Sequence, residues 1–146
     1  MDFFAITSSD DMWEAVSRFA RNCSWRAGAS LSREMEEGSF TQWERVMVAR
    51  NAQEIAGFCT VAKKDCIPDV PYTPYIGYVF VDEKYRGYRL SQKLISYAFG
   101  YLKAVGFEKV YLVSDHENLY EKYGFQVIDQ KMSPWGEMEK IYMHNL

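Results

Sequence analysis

The clearest hydrophobic pattern in the chain is helical and lies in its second half. Apolar residues recur mainly at spacings of three and four between Leu90 and Val105, and Gly106 follows at a position typical of a helix C-cap. This pattern predicts a long helix that begins near Tyr88 and ends at Gly106.

Polar residues that favour helix starts predict two shorter helices near the beginning of the chain. The cluster SSDD over residues 8–11 precedes an amphipathic segment that starts at Met12. Ser30 is predicted to cap a second helix over residues 31–37, and Gly38 is predicted to end it.

Short apolar runs predict the strands of a sheet. The run over 75–81 is apolar on both faces, which is typical of a central strand covered on both sides. Residues 63–75 hold three of the four prolines and are predicted to form a surface loop. A short helix is predicted over 118–123. The predicted strands are 3–7, 45–49, 55–62, 75–81, 110–113, 125–128 and 141–143.

Composition and charge narrow the class of protein. A chain of 146 residues, 48% of them hydrophobic, is predicted to form one domain over residues 1–146. The net charge of -3 and the absence of a basic stripe argue against a nucleic-acid partner. The N-terminal residues do not resemble a signal peptide, and no run of about 18 uncharged apolar residues occurs. We therefore expect a cytoplasmic protein that does not bind membranes.

The cysteines and histidines form no metal-binding pattern. Cys23, Cys59 and Cys66 contain no CxxC pair, and the histidines, His116 and His144, lie in different segments. No metal is therefore expected, and the cysteines are predicted to be reduced thiols.

The turn between the strand 75–81 and the long helix carries the strongest chemical signal. Backbone N–H groups at a helix N-terminus lack intrahelical partners, and the helix dipole adds positive potential there. Arg86 and Arg89 add charge, and Gly87 lets the backbone approach an oxygen without a Cβ in the way. The turn is either a phosphate site or an ordinary turn with solvated arginines.

This segment, VDEKYRGYRLSQKL, resembles the acetyl-CoA motif of the GNAT superfamily, V-x-P-x-x-R-G-x-G-I-G-x-x-L. The core of this motif is [Q/R]-x-x-G-x-[G/A]. The segment agrees with the motif at Arg86, Gly87, Leu90 and Leu94. It departs from the motif at Lys84, which stands at the Gln/Arg position of the core, at Arg89, which stands where Gly or Ala is expected, and at Ser91, which replaces another Gly. A second segment, NLYEKYGF over residues 118–125, resembles the family's LYEKxGF and follows about 30 residues later. The predicted order of elements, β-α-α-β-β-β-α-β-α-β-β, is also that of the family.

The resemblance implies an α+β fold in three layers. A central mixed, mostly antiparallel sheet, splayed at the CoA site, would have helices on both faces. It implies acetyl-CoA as co-substrate, with its pyrophosphate at the turn and its pantetheine arm along the strand 75–81. The residues implied to bind it are Val79, Phe80, Val81, Arg86, Gly87, Tyr88, Arg89, Leu90, Ser91, Asn118 and Tyr120.

The resemblance also implies catalytic roles in the transfer of an acetyl group to an amine. Tyr120 stands at the position of the general acid that protonates the leaving thiolate, although it is alternatively a packed ring. His116 is a candidate base. Asn118 either contacts the CoA arm or caps a helix. Gly77 either starts a bulge that splays the strands or makes room for a neighbouring side chain.

The acceptor is expected to be a small-molecule or peptide amine, and a homodimer stays open because family members often dimerise. The acidic residues Glu34, Glu36 and Glu37 either attract a cationic acceptor or form a solvated helix face. The candidates for an aromatic lining of the acceptor pocket are Trp25, Tyr72, Tyr75 and Trp135.

Two alternatives to an acetyltransferase follow from the same residues. A CoA-binding sensor or inactive homologue would explain the missing glycines and the absence of a carboxylate base on the strand 75–81. A different α/β domain that binds another phosphorylated ligand would explain the turn alone.

Overall fold

The computed structural model describes residues 1–146 and contains three α-helices and seven β-strands. The helices are α1 (Trp13–Asn22), α2 (Ala27–Glu36) and α3 (Leu90–Val105). The strands are β1 (Asp2–Ile6), β2 (Arg45–Asn51), β3 (Glu54–Ala62), β4 (Tyr75–Val81), β5 (Lys109–Ser114), β6 (Gln126–Met132) and β7 (Met138–Asn145). Every predicted strand is present, and β6 and β7 extend beyond their predicted bounds.

The seven strands form one sheet in the order β1-β2-β3-β4-β5-β7-β6. All neighbours are antiparallel except β4 and β5, which are parallel. The alignment of β4 with β5 is confined to one pair of residues, Tyr75 and Tyr111, whereas every other pair of neighbours is aligned over at least five. The sheet is therefore split beyond Tyr75, and the predicted splay is confirmed.

Helices cover both faces of the sheet. The apolar sides of α1 and α2 pack on one face, through Val16, Ala20, Leu31 and Met35 against Phe58 and Phe80. The apolar side of α3 packs on the other face, through Leu94, Ile95, Ala98 and Leu102 against Met47, Cys59 and Ile76. This arrangement confirms the predicted three-layer α+β fold. None of the helices has both the length and the apolar character needed to cross a membrane.

The predicted start of α2 is wrong. The helix begins at Ala27, and Ser30 lies inside it, where its hydroxyl accepts a hydrogen bond from Arg33 at 3.2 Å. Tertiary packing decides the start: a Cβ at Gly28 would lie 2.2 Å from the carbonyl oxygen of Ala20, so α1 and α2 meet too closely there for a side chain. This contact fixes the first turn without a capping side chain.

Two other helix boundaries also differ from their predictions. The long helix begins at Leu90 rather than Tyr88, because the backbone of Arg89 is left-handed and interrupts the helical geometry. The predicted helix over 118–123 is a single 3-10 turn, Tyr120–Tyr123, ended by Gly124 with a φ of 93°.

A bulge in β4 lies next to the split in the sheet. Phe58 pairs with Phe80 and Thr60 with Gly77, so β4 holds one more residue than β3 in this interval. Tyr78 takes up the extra length with a φ of 48°. A Cβ at Gly77 would also lie 2.9 Å from Oδ2 of Asp65. Both alternatives for Gly77 are therefore right in part: it adjoins a bulge and makes room for a side chain.

Candidate functional site

The split between β4 and β5 opens into a cavity of about 830 Å³. Its walls come from both sides of the sheet: Leu112 and Tyr120 belong to the core under α3, whereas Glu34 is carried by α2 on the opposite face. The cavity therefore passes through the sheet. A ligand on the α3 side and a ligand on the α1–α2 side would meet within it.

The turn after β4 holds backbone donors without protein acceptors. The N–H groups of Gly87, Tyr88 and Arg89 donate to no backbone acceptor. The first turn of α3, which starts at Leu90, adds N–H groups that no helical carbonyl can reach. Free donors at the positive end of a 16-residue helix are an arrangement that suits an anion, which makes this turn a candidate anion site.

Arg89 explains why the motif that this turn resembles has glycine at its position. The backbone of Arg89 has φ 60° and ψ 31°, a left-handed conformation that costs a residue with a Cβ about 1–2 kcal/mol. The Arg89 side chain makes no capping bond and is exposed. The chain thus keeps the glycine-like backbone and places a charged side chain beside the free donors.

Arg86 and Gly87 shape the opening of the same turn. Nε of Arg86 donates to the carbonyl oxygen of Val81 at 3.0 Å, and its guanidinium lies 5.7 Å from the centre of the Phe80 ring. Gly87 has a φ of 88°, and no heavy atom lies within 4 Å of the place where a Cβ would stand. The glycine is needed for the backbone conformation, and the space beside it is open to a ligand.

Tyr120 is a buried residue of the cavity wall. Its side chain is 7% exposed and packs edge-on against the ring of Phe125. The neighbouring hydroxyls of Tyr123 and Tyr142 have hydrogen-bond partners within the chain, whereas that of Tyr120 has none and lies at the cavity wall. Burial raises the pKa of Tyr120 to about 12, so the phenol keeps its proton throughout the physiological pH range.

The two other predicted residues near Tyr120 differ in their position. His116 lines the cavity, and its exposed ring lies 6.4 Å from the ring of Tyr120. Asn118 is exposed, has a φ of 61° and lies outside the cavity lining. Its alternative role as a helix cap is wrong, because Leu119 is the N-cap residue of the 3-10 turn and no side chain caps it.

The other residues predicted to bind the cofactor fall into two groups. Val79 lines the cavity, while Phe80 and Val81 complete β4 beside it. The residues of the turn and the first turn of α3, from 86 to 91, lie outside the cavity lining at the carboxyl end of β4. Residues 86–89 are exposed, and Tyr88 has 71% of its surface open to solvent.

Three predicted candidates for the acceptor pocket line the cavity, and three acidic residues of its lining, Glu44, Asp65 and Glu139, were missed. Trp25, Tyr75 and Trp135 line it, but Tyr72 does not. Asp65 and Glu139 also line it. Asp65 lies in the proline-containing loop that was predicted to be a surface loop. Glu139 shares a face of β7 with the buried Ile141, and this polar residue in an inward-facing position was the available signal.

Comparison with protein families identifies the class of protein. Residues 42–127 match the family model described as "Acetyltransferase (GNAT) domain". Because this match covers more than half of the chain, the protein belongs to the GNAT acetyltransferase family, and the predicted acetyltransferase class is confirmed.

Solved structures share the fold over nearly the whole chain. An aminoglycoside 6'-N-acetyltransferase complexed with coenzyme A is 16% identical, with a TM-score of 0.72 and coverage of 99% of this chain and 97% of that one. An aminoglycoside 6'-N-acetyltransferase from Enterococcus faecium is 17% identical, with a TM-score of 0.72 and the same coverage. A GNAT family N-acetyltransferase from Escherichia coli in complex with CoA is 21% identical, with a TM-score of 0.73 and coverage of 99% and 80%. A search of curated proteins finds no significant match to the sequence.

Proposed function

We propose that the protein transfers the acetyl group of acetyl-CoA to an amine, with Tyr120 as general acid. The observation that carries this proposal is the hydroxyl of the buried residue Tyr120, which lacks a protein partner and lies at a cavity that passes through the split sheet. The family membership and the CoA complexes of proteins with the same fold support it.

The split sheet and the turn offer matching sites for the two ends of acetyl-CoA. The free N–H groups of residues 87–89 and the charges of Arg86 and Arg89 suit a pyrophosphate. Beyond Tyr75, β4 makes no ladder bonds to β5. The backbone of Val79, which is paired with no residue of β3, is then free to bond to an amide of the pantetheine arm. An acetyl group at the end of that arm would reach the cavity at Val79.

The transfer needs a proton donor beside the leaving sulfur, and Tyr120 lies at the cavity wall where the acetyl group would bind. The amine nitrogen forms a bond to the acetyl carbon, a backbone N–H near Val79 or Phe80 polarises the carbonyl, and the C–S bond then breaks. The electron pair of that bond goes to sulfur, and Tyr120 delivers the proton that converts the thiolate into a thiol. Because burial raises the pKa of Tyr120 to about 12, its phenol is in the proton-carrying form throughout the physiological pH range.

The proton released by the amine must reach solvent. His116 lines the cavity and is exposed, so its imidazole can pass the proton to bulk water. The net reaction balances, because the amine loses one proton, sulfur gains one, and Tyr120 recovers its own.

A turnover assay with Tyr120→Phe tests the proposal. We expect CoA thiol release from acetyl-CoA in the presence of amines, including aminoglycosides, the acceptors named for proteins of the same fold. Y120F should lower kcat by about 10²–10³-fold and leave the KM for acetyl-CoA unchanged.

Tyr97→Phe is the matched control, because Tyr97 stacks on Phe3 at the opposite side of α3 from the cavity. This variant should keep its kcat within about twofold. An unchanged kcat in Y120F would remove Tyr120 from the mechanism. Binding of acetyl-CoA without thiol release from any amine would instead favour a CoA-binding sensor.

A further inference from the structure

The α1–α2 side of the cavity is acidic and contains no ion pair. Five carboxylates and two lysines line the cavity. The two ion pairs of the protein, Arg21 with Glu36 and Lys84 with Glu54, lie elsewhere. The carboxylates come from separate elements: Glu34 from α2, Glu44 from the segment before β2, Asp65 from the loop before β4, Asp115 from the segment after β5 and Glu139 from β7.

Buried acceptor atoms in this region lack partners, which is a separate observation from the acidity. Tyr75 is 1% exposed, and its hydroxyl makes no hydrogen bond. Oε2 of Glu34 is buried and likewise unpaired. Glu139 is 8% exposed and lines the same cavity. A buried polar group without a partner is energetically costly, so two of them at one cavity indicate a missing partner.

The groups are close enough to act on one another. Oδ1 of Asp65 accepts a bond from the N–H of Cys66 at 2.6 Å, while Oδ2 projects over Gly77. Burial raises the pKa of Asp65, and the nearby Glu34 raises it further. Burial also raises the pKa of Glu139, with smaller contributions from acidic neighbours that include Asp65. A cation would relieve this repulsion.

A cation bound at this cluster would not be the amine that reacts. Negative charge around an ammonium raises its pKa and holds its proton, whereas attack on a thioester needs the neutral amine. A group bound among Asp65, Glu139 and Tyr75 therefore remains charged while another nitrogen reacts. We propose, on the basis of the acetyltransferase function above, that the acceptor carries at least two ammonium groups. Asp65, Glu139 and Tyr75 hold one of them, and the second nitrogen reaches the acetyl group beside Tyr120.

A comparison of 1,5-diaminopentane with 1-aminopentane tests this proposal, because the two differ only in the second amine. With the intact chain, the diamine should have a KM at least about tenfold lower in the thiol-release assay, and the difference should shrink at high salt. Equal KM values for the two amines would overturn the proposal.

Glu139→Gln and Asp65→Asn identify the residues responsible. Each should remove most of the diamine advantage, which is measured as the ratio of the KM for 1-aminopentane to the KM for 1,5-diaminopentane. Glu37→Gln is the matched control, because it removes one carboxylate from the exposed end of α2, outside the cavity. A diamine advantage that survives both cavity variants, or that is lost equally in E37Q, would contradict the assignment.

Calorimetric titration separates this proposal from the acetyltransferase function. If no amine yields thiol, binding of 1,5-diaminopentane that is lost in E139Q would keep the cation site and reject the transfer reaction. Absence of both binding and turnover would reject both.

A divalent metal is the competing occupant of this region. Asp115, Glu137 and Glu139 can bring ligand atoms within 4.8 Å of one another. Calcium or magnesium binding that is lost in E139Q, without any diamine binding, would therefore overturn the ammonium assignment.

Discussion

The hydroxyl of Ser91 lies 2.9 Å from the hydroxyl of Tyr123. This hydrogen bond joins the first turn of α3 to the 3-10 turn that carries Tyr120. Serine replaces a glycine of the resembled motif at this position, so the bond is made possible by one of the departures from that motif. It connects the anion site to the proposed general acid.

The Ser91 and Tyr123 pair is predicted to stabilise the fold and to hold Tyr120 in place. Ser91→Ala and Tyr123→Phe should each lower the free energy of unfolding by about 1 kcal/mol. The double variant should lose less than the sum of the two, with a coupling energy of about 0.5–1.5 kcal/mol measured by urea unfolding. Additive losses would show that the hydroxyls do not interact in solution.

Arg86→Ala is predicted to weaken CoA binding by about tenfold, because it removes a charge beside the free N–H groups of the turn. The loss should decrease as salt is added, since the missing contact is between exposed charges. Calorimetric titration of CoA into the variant measures it. Lys103→Ala, which removes a positive charge from the last turn of α3, should bind CoA normally. The phosphate assignment fails if the two variants bind equally well.

Asp65→Asn is predicted to raise stability at neutral pH by about 1 kcal/mol, while impairing use of the diamine. Burial raises the folded-state pKa of Asp65. The contribution of Asp65 to the free energy of unfolding is therefore favourable at low pH and is lost as the pH rises through that pKa. The facing groups, Glu34, Cys66 and Glu139, supply no compensating positive charge.

Thermal unfolding between pH 4 and pH 8 checks this prediction. The Tm difference between D65N and the unsubstituted protein should be largest at pH 7 to 8 and should shrink towards pH 4. The Oδ1 bond to the Cys66 N–H is retained by asparagine, so the comparison isolates the charge. A variant that is less stable at every pH would show that the carboxylate is structurally required.

The free energy of unfolding at alkaline pH is predicted to depend on the ionisation of Tyr120. Its pKa is raised from an ordinary value of 10 to about 12 by burial, so the folded state keeps a proton that the unfolded chain loses. The stabilising contribution is complete below pH 10 and is lost as the pH rises towards 12. In that interval each such tyrosine lowers the free energy of unfolding by up to about 1.4 kcal/mol per pH unit.

Urea unfolding at pH 9 to 11 measures this contribution. Tyr120→Phe should show a shallower decline in the free energy of unfolding with pH than the unsubstituted protein. Equal slopes in the two proteins would show that the pKa of Tyr120 is not raised in the folded state.

Local patterns predicted the sheet, α3 and the anion turn, because each depends on periodicity or on residues adjacent in sequence. The start of α2 escaped prediction, since the approach of Gly28 to Ala20 is a contact between two helices. The acidic side of the cavity was also not predicted, because it too depends on contacts between distant segments. Asp65 and Glu139 are far apart in the sequence, and only the sheet order brings β4, β5 and β7 together.

The left-handed conformation of Arg89 could be predicted only in part from the sequence. The motif comparison located the position at which glycine is expected, but nothing in the sequence shows whether the backbone there still needs glycine. The structure keeps the glycine-like φ with an arginine present. The departure from the motif is thus a change of side chain on an unchanged backbone.

The single aligned pair between β4 and β5 makes the sheet mechanically two pieces, a four-stranded half and a three-stranded half. The pair of Tyr75 and Tyr111 and the helix α3 that connects the two strands hold the halves together across this seam, and the hydroxyl of Tyr72 donates a hydrogen bond to Asp129 of β6. An extended ligand with amide groups, inserted along the seam, would act as a strut between them. The protein would then be most rigid when charged with acetyl-CoA and would loosen along one line of the sheet when it is empty.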